Sequence, residues 1–200
     1  MPTFQSLFQN NRVWAKNKVD QDPTLFSRLV KQQNPEFLWI GCSDSRVPAN
    51  EIVGLMPGEL FVHRNLANLV LHTDFNCLSV IQFAVESLKV RDIIVCGHYE
   101  CSGVAHAMKK SDVGGLPESW LRHVEDLAMK KQCELSEISC DAQRLTKLCE
   151  LNVQEQVRNV SRTDILRNAW RRGQHVAVHG VVYDLADGLL HDLNVSVTGL

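Results

Sequence analysis

At the start of the chain Phe4, Leu7, Phe8, Asn11 and Trp14 fall three or four residues apart, the spacing of one helix face. A second helix is predicted from Asp22-Pro23, a capping side chain followed by proline in the first turn. It runs through Leu25, Phe26, Leu29 and Val30 and stops before Pro35. The period then changes. Phe37-Leu38-Trp39-Ile40-Gly41 is a short apolar run bounded by Pro35 and Pro48, and reads as a buried strand. Asn50 to Leu55 predicts a short helix, Pro57-Gly58 a turn, and Leu60 to His63 a second strand ending in Arg64-Asn65. Thr73 or Asp74 caps a long helix through Leu78, Ile81, Val85 and Leu88. Asp92-Ile93-Ile94-Val95-Cys96 is a third strand. Strand, helix and strand in this order predict a parallel sheet with right-handed crossovers.

From Pro117 to about Arg172 the pattern is helical, with Trp120, Val124 and Leu127 on one face and Lys130, Lys131, Glu134 and Glu137 on a solvated one. Gly173 ends the last helix. Gln174 to Tyr183 is β-rich, Asp187-Gly188 predicts a hairpin turn, and Leu189 to Val197 pairs back. The expected fold class is α/β: a central, mostly parallel β-sheet with flanking helices and a C-terminal β-hairpin. One domain covers 1–200, with residues 1–34 as a helical arm and 35–200 as the α/β core. There is no internal repeat.

Composition narrows the field. The chain has 200 residues, 44% of them apolar and 22% charged, enough for one sizeable core. A formal net charge of −2 offers no electrostatic reason to expect nucleic acid or an anionic membrane as partner. No apolar run is long enough to span a bilayer. Seven cysteines form an odd set without a framework, and the N-terminus lacks the basic head and apolar body of an export signal. A cytoplasmic, reducing compartment is expected, with thiols buried or bound to metal.

Chemistry gathers where two strands end. Cys42-Ser43-Asp44-Ser45-Arg46 follows the first strand, and Gly97-His98-Tyr99-Glu100-Cys101 follows the third. In an open α/β sheet, strand ends are the usual place for a site. Cys42, His98 and Cys101 offer two thiolates and an imidazole, ligands that suit zinc. Taken singly, a cysteine at a strand end is most often a small buried hydrophobe. The combination with Asp44 and Arg46 shifts the balance, because an acid and a base are costly to shelter from water unless paired. Gly103 lies past the last of these residues, at a predicted helix start where main-chain N–H groups face an anion.

Cys42-Ser43-Asp44-Ser45-Arg46 with His98-Tyr99-Glu100-Cys101 resembles the zinc signature of the β-class carbonic anhydrases. Phe37 to His106 reads throughout like a bacterial member of that family. The likeness includes the stretches Pro57 to Asn65 and His72 to Ser79, and continues more weakly to about Asn194. It implies one zinc per subunit, held by Cys42, His98 and Cys101, and reversible hydration of carbon dioxide to bicarbonate and a proton. Asp44 then orients a zinc-bound hydroxide while Arg46 holds the carboxylate by a charge-assisted pair. If that pair breaks, Asp44 is placed to become the fourth ligand and close the site; the resemblance implies that both states occur among relatives. It also implies a homodimer or homotetramer, with the leading helix lying on a neighbouring subunit. Helix-for-helix, closing its own core is an equal alternative for that segment. One subgroup carries a bicarbonate pocket of Trp, Arg and Tyr, and Trp39, Arg64 and Tyr183 stand at the matching positions. Many members continue into a further helix beyond the hairpin, an element expected to be either absent here or lost from the sequence in hand.

Rival readings keep some of these residues and change their roles. The same zinc site serves for hydrolysis of carbon disulfide or carbonyl sulfide. A cysteine phosphatase or sulfur transferase would use Cys42 as nucleophile and Arg46 on the anion, but three intervening residues supply too few N–H groups to cradle phosphate. A non-catalytic zinc module would need a fourth ligand, which only Asp44 offers.

Overall fold

A computed structural model describes residues 2–109 and 114–200 of the chain. Its contacts separate two units, Met1–Asn34 and Pro35–Leu200. In the first, α1 (Phe4–Gln21) opens on a capping box between Thr3 and Ser6. A short turn leads to α2 (Leu25–Lys31), and the rings of Trp14 and Phe26 meet edge to face at 6.0 Å. Asp22 does not start the second helix as the sequence suggests. It closes α1, and its carboxylate accepts from both the N–H and the hydroxyl of Thr24, which moves the start to Leu25. A carboxylate already engaged locally is not free to cap the next helix.

The second unit is built on a five-stranded sheet in the order β2-β1-β3-β4-β5. The strands are β1 (Phe37–Cys42), β2 (Leu60–Asn65), β3 (Asp92–His98), β4 (Ala177–Tyr183) and β5 (Leu190–Asp192). The first four are parallel and β5 returns antiparallel. The turn before β5 is longer than a two-residue hairpin: Tyr183 pairs with Leu190, and Asp184 N–H reaches the Leu189 carbonyl across the loop. Asp184 and Asp187 each accept a main-chain N–H two residues on, so the acidic side chains stabilise a wider loop.

Side chains alternate across this sheet. Leu38, Ile40, Ile93, Val95, Val178 and Val182 belong to one buried cluster with α4 (Phe75–Gln82), α8 (Asp141–Ser161) and α9 (Asp164–Arg171). Trp39 and Cys96 face the other way, beside Leu60, Val181, Tyr183 and the short α3 (Ala49–Ile52). Beyond the strand ends a third cluster joins Cys42, Ala67 and Cys101 to α5 (Ser102–Lys109), α6 (Gly115–Lys130), α7 (Gln132–Ser136) and α8. Asp74 caps α4, which continues as a wider π-helical turn over Phe83–Leu88.

Two features of this frame place the site. From β1 the chain first adds β2 on one side and later β3 and β4 on the other, so the order reverses between β1 and β3. That switch point opens a crevice at the carboxyl ends of the two strands, where Cys42 and His98 stand. Gly97 lets α8 come close to the last residues of β3: a Cβ there would lie 2.5 Å from Val153 Cγ2. Among the described residues, no helix is long and apolar enough to cross a membrane.

Candidate metal centre

β1 delivers Cys42, β3 delivers His98, and the tight turn Tyr99-Glu100, with Glu100 in left-handed backbone, brings Cys101 back to them. Their donor atoms all lie within 4.8 Å of one another, and the residues are 4%, 1% and 2% exposed. The two sulfurs are 3.9 Å apart. Two thiolates on a tetrahedral zinc would stand about 3.8 Å apart, given Zn–S bonds of about 2.3 Å. His98 Nδ1 sits 3.0 Å from the Tyr99 carbonyl oxygen, which can only accept, so Nδ1 carries the proton. Nε2 is left with a lone pair, buried and without a hydrogen-bond partner. An orphaned imidazole lone pair beside two buried thiols is the donor set of a soft or borderline cation. The residues fit zinc.

The thiols share their protons unequally. Cys42 is pulled down, mainly because Cys101 donates to it, helped by main-chain N–H groups of Asp44 and Ala67 against the opposing effect of burial. Cys101 is pushed up because it gives that hydrogen bond. One proton leaves the pair readily and the other only when something positive replaces it.

Asp44 is turned toward Arg46. Arg46 Nε and Nη2 donate to its two carboxylate oxygens at 2.9 and 2.7 Å, and the Arg46 main-chain N–H adds a third bond at 2.9 Å. This fork holds the Asp44 carboxyl well below the usual carboxylate range and raises Arg46. Asp44 Oδ2 lies 3.7 Å from His98 Nε2, so a carboxylate borders the crevice that the lone pair faces. Arg46 also reaches the Glu100 carbonyl, which ties the loop after β1 to the turn after β3.

The remaining sequence-predicted residues are spread around this centre. Arg64 Nε donates to the Cys42 carbonyl at 2.7 Å and Nη2 to that of Asp44, so its head clasps the loop carrying the centre. Trp39 is buried in the cluster on the other sheet face, where Tyr183 packs against it, and the Tyr183 carbonyl accepts the Tyr99 N–H. Gly103 lies in the first turn of α5, and a Cβ there would sit 3.2 Å from Leu121 Cδ2 and 3.5 Å from Ala67 Cβ. Close packing is therefore reason enough for glycine at that position. A second cluster, His63, Asp74 and Cys77, has two of its donors already engaged: Asn65 Nδ2 contacts His63 Nε2, and Asp74 caps Asn76.

Sequence reasoning missed a set of amides. Asn152, Gln156 and Asn159 lie four and three residues apart on α8, one helix face, and the first two are buried among Leu148, Val153, Val157 and Val160. They bind the segment between Ala67 and His72 through side-chain bonds to Ala67 O, Val70 N and Val70 O, and through the Asn159 carbonyl to His72. The available signal is amides at helical spacing on an otherwise apolar face.

The carbonic anhydrase family model matches residues 37–190. A carbonic anhydrase of Emericella nidulans is 46% identical over 198 residues, covering 99% of this chain and 86% of that protein. A solved structure described as one of two tetrameric β-carbonic anhydrases of the filamentous ascomycete Sordaria macrospora superposes with a TM-score of 0.92 at 38% identity, covering 97% and 98% of the two chains. The Coccomyxa β-carbonic anhydrase in complex with acetazolamide gives 0.93 at 37% identity, covering 100% and 90%. These matches bear out the family but not the bacterial affiliation drawn from the motifs, since two of the three are fungal.

Proposed function

This chain belongs to the β-class carbonic anhydrase family and is an enzyme of that activity, and we propose that it hydrates carbon dioxide reversibly at a zinc held by Cys42, His98 and Cys101. The observation that carries the reading is the buried, partnerless Nε2 of His98 facing two thiols, with a clamped carboxylate at the rim. Zinc bound there supplies a Lewis acid and a water made acidic enough to act near neutrality. Asp44 accepts a hydrogen bond from the attacking water and fixes the direction of its lone pair. Arg46 keeps that carboxylate ionised and pointed, and prevents it from swinging inward to ligate. Tyr99 fixes the tautomer of His98 through its main-chain carbonyl. Gly103, at the start of α5, borders the path of the anionic product. Metal analysis and stopped-flow hydration of carbon dioxide at alkaline pH test this. One zinc per chain and turnover lost in Cys101→Ala are expected; protein without stoichiometric metal, or full turnover in that variant, defeats the proposal.

Bicarbonate acts as an inhibitor at a second site formed by Trp39, Arg64 and Tyr183. Support comes from the double grip of Arg64 on the Cys42 and Asp44 carbonyls: an anion that draws the guanidinium away loosens the loop that holds Asp44. Cooperative inhibition that disappears in Arg64→Ala with zinc retained is the expected result, and an unchanged inhibition curve removes the pocket. Residues 35–200 form the catalytic domain and 1–34 an arm for assembly into a homodimer or homotetramer, to be read by sedimentation. The seven cysteines, all unpaired, support a reducing compartment such as the cytoplasm.

A further inference from the structure

The segment after β2 passes directly beneath the first thiol. Asn65 pairs with Cys42 across the two strands, and Ser43 N–H donates to the Asn65 carbonyl at 2.8 Å. Two residues later the backbone does something unusual: Ala67 and Asn68 both lie in the left-handed region, at φ 61° and 48°. Neither is glycine. Such a conformation persists in alanine only when the surroundings dictate it, and it marks places where geometry matters. Ala67 is fully buried in the cluster that contains Cys42 and Cys101, and its main-chain N–H is among the groups that lower the Cys42 thiol. Asn68 is 1% exposed, its Oδ1 lies 3.5 Å from where a Cβ on Gly97 would be, and its Nδ2 has no partner.

Two devices hold the turn. Asn65 grips the far end, its Nδ2 donating to the Leu69 carbonyl at 2.7 Å and its Oδ1 accepting the Leu69 N–H at 2.8 Å. From α8, Asn152 Nδ2 donates to the Ala67 carbonyl at 2.9 Å. The other end of that amide is fixed in turn: Asn152 Oδ1 accepts Gln156 Nε2 at 2.9 Å, and Gln156 Oε1 accepts the Val70 N–H at 2.9 Å. Asn152 and Gln156 are 1% and 3% exposed, so the chain of amides is a costly insertion into an apolar helix face. Leucine or methionine would fill the same space. What the amides achieve and an apolar side chain could not is a fixed orientation of the Ala67 peptide.

We propose that Asn152, backed by Gln156, is a positioning residue for the metal centre: it holds the left-handed turn at Ala67 so that the main-chain N–H of that residue is aimed at the Cys42 sulfur. A thiolate that accepts an N–H donates less charge to a cation and keeps one direction. The inference rests on reading Cys42 as a metal ligand, and goes beyond it by assigning the second layer of contacts to α8.

The test uses the full-length chain loaded with zinc or exchanged with cobalt(II). Asn152→Leu is expected to release zinc to a chelator about tenfold faster and to shift the sulfur-to-cobalt charge-transfer band. Adding Ala67→Gly, which makes the left-handed turn easy without Asn152, is expected to restore part of both. Gln156→Met is expected to move the band the same way by a smaller amount. Val160→Ala, a fully buried change on the same helix, lowers thermal stability without touching the turn and should leave the band in place. If Asn152→Leu matches Val160→Ala, unstable but with native zinc release and an unshifted band, Asn152 is only packing and the proposal falls. Should Asn152→Leu not accumulate as folded protein, Gln156→Met decides, and a native band there overturns the proposal. A native chain that takes up neither zinc nor cobalt defeats the ligand assignment instead, a result distinct from either.

Discussion

Gly97→Ala is a small change with a calculable effect. A methyl group at this position would lie 2.5 Å from Val153 Cγ2, with Asn68 Oδ1 at 3.5 Å and the Cys149 carbonyl at 3.8 Å. Carbon atoms in contact sit about 3.5–4.0 Å apart, so α8 must retreat by about 1 Å or β3 must bow away from it. Val153 is fully buried against the sheet and has nowhere to rotate without displacing another side chain. Overpacking of this kind costs about 1–3 kcal/mol, which for a chain of this size lowers Tm by roughly 5 °C. Because His98 is the next residue, the same displacement moves its Nε2 relative to the two sulfurs. Thermal unfolding, zinc content and carbon dioxide turnover of Gly97→Ala should therefore fall together. The control is the double variant with Val153→Ala, in which the new methyl occupies the space the valine vacates. It is expected to be more stable than the sum of the two single changes by about 1 kcal/mol or more, and to regain zinc. A Gly97→Ala protein with native Tm, or a double variant that is simply additive, refutes the claim that contact with α8 sets the glycine.

Further tests follow from other contacts. Arg46→Ala frees Asp44 from its two-point clamp, and turnover is expected to fall by roughly 10²-fold with zinc still bound, as measured by stopped flow and metal analysis. His63 is buried and its pKa lowered by desolvation, opposed by the nearby Asp74 carboxylate. Above about pH 6.5 both folded and unfolded states are neutral there; as pH falls below it the unfolded chain takes the proton first, and stability drops until the lower native pKa is reached. The fall in Tm from pH 7 to 5 should accordingly be shallower in His63→Gln than in the native chain. Burial pushes the thiols of Cys77 and Cys149 up to about 12, while Cys133 and Cys140 are exposed. Brief alkylation of the zinc-loaded protein at pH 8, read by mass spectrometry, should label the latter two and spare the others.

Much of this molecule is written locally. β1 and β3 are continuous apolar runs because strands inside a parallel sheet are buried on both faces, while β2, at the sheet edge, mixes exposed polar residues with buried ones. Such runs are visible without any partner in hand. The same holds for the Asp74 cap, for the break after Arg172, and for the polar residues that follow each strand. Helix and turn boundaries were less legible. Asp22 has the residue type of an N-cap, but its carboxylate is taken by Thr24, and Asp187-Gly188 looks like a two-residue turn inside a longer loop.

Residue type and spacing alone determined that two thiols, an imidazole, a carboxylate and a guanidinium lie at the ends of two strands, and the motifs carried the family with them. Tertiary structure decided how those groups face one another. The reversal of strand order between β1 and β3 brings together residues 56 positions apart, Cys42 and His98, and a main-chain carbonyl selects the imidazole nitrogen left free. It also decided that α8 reaches across to the segment after β2, where buried amides fasten a left-handed alanine. The physical reason is that hydrogen-bond geometry depends on distances and angles between elements remote in the chain, whereas hydrophobic period and turn chemistry depend on neighbours.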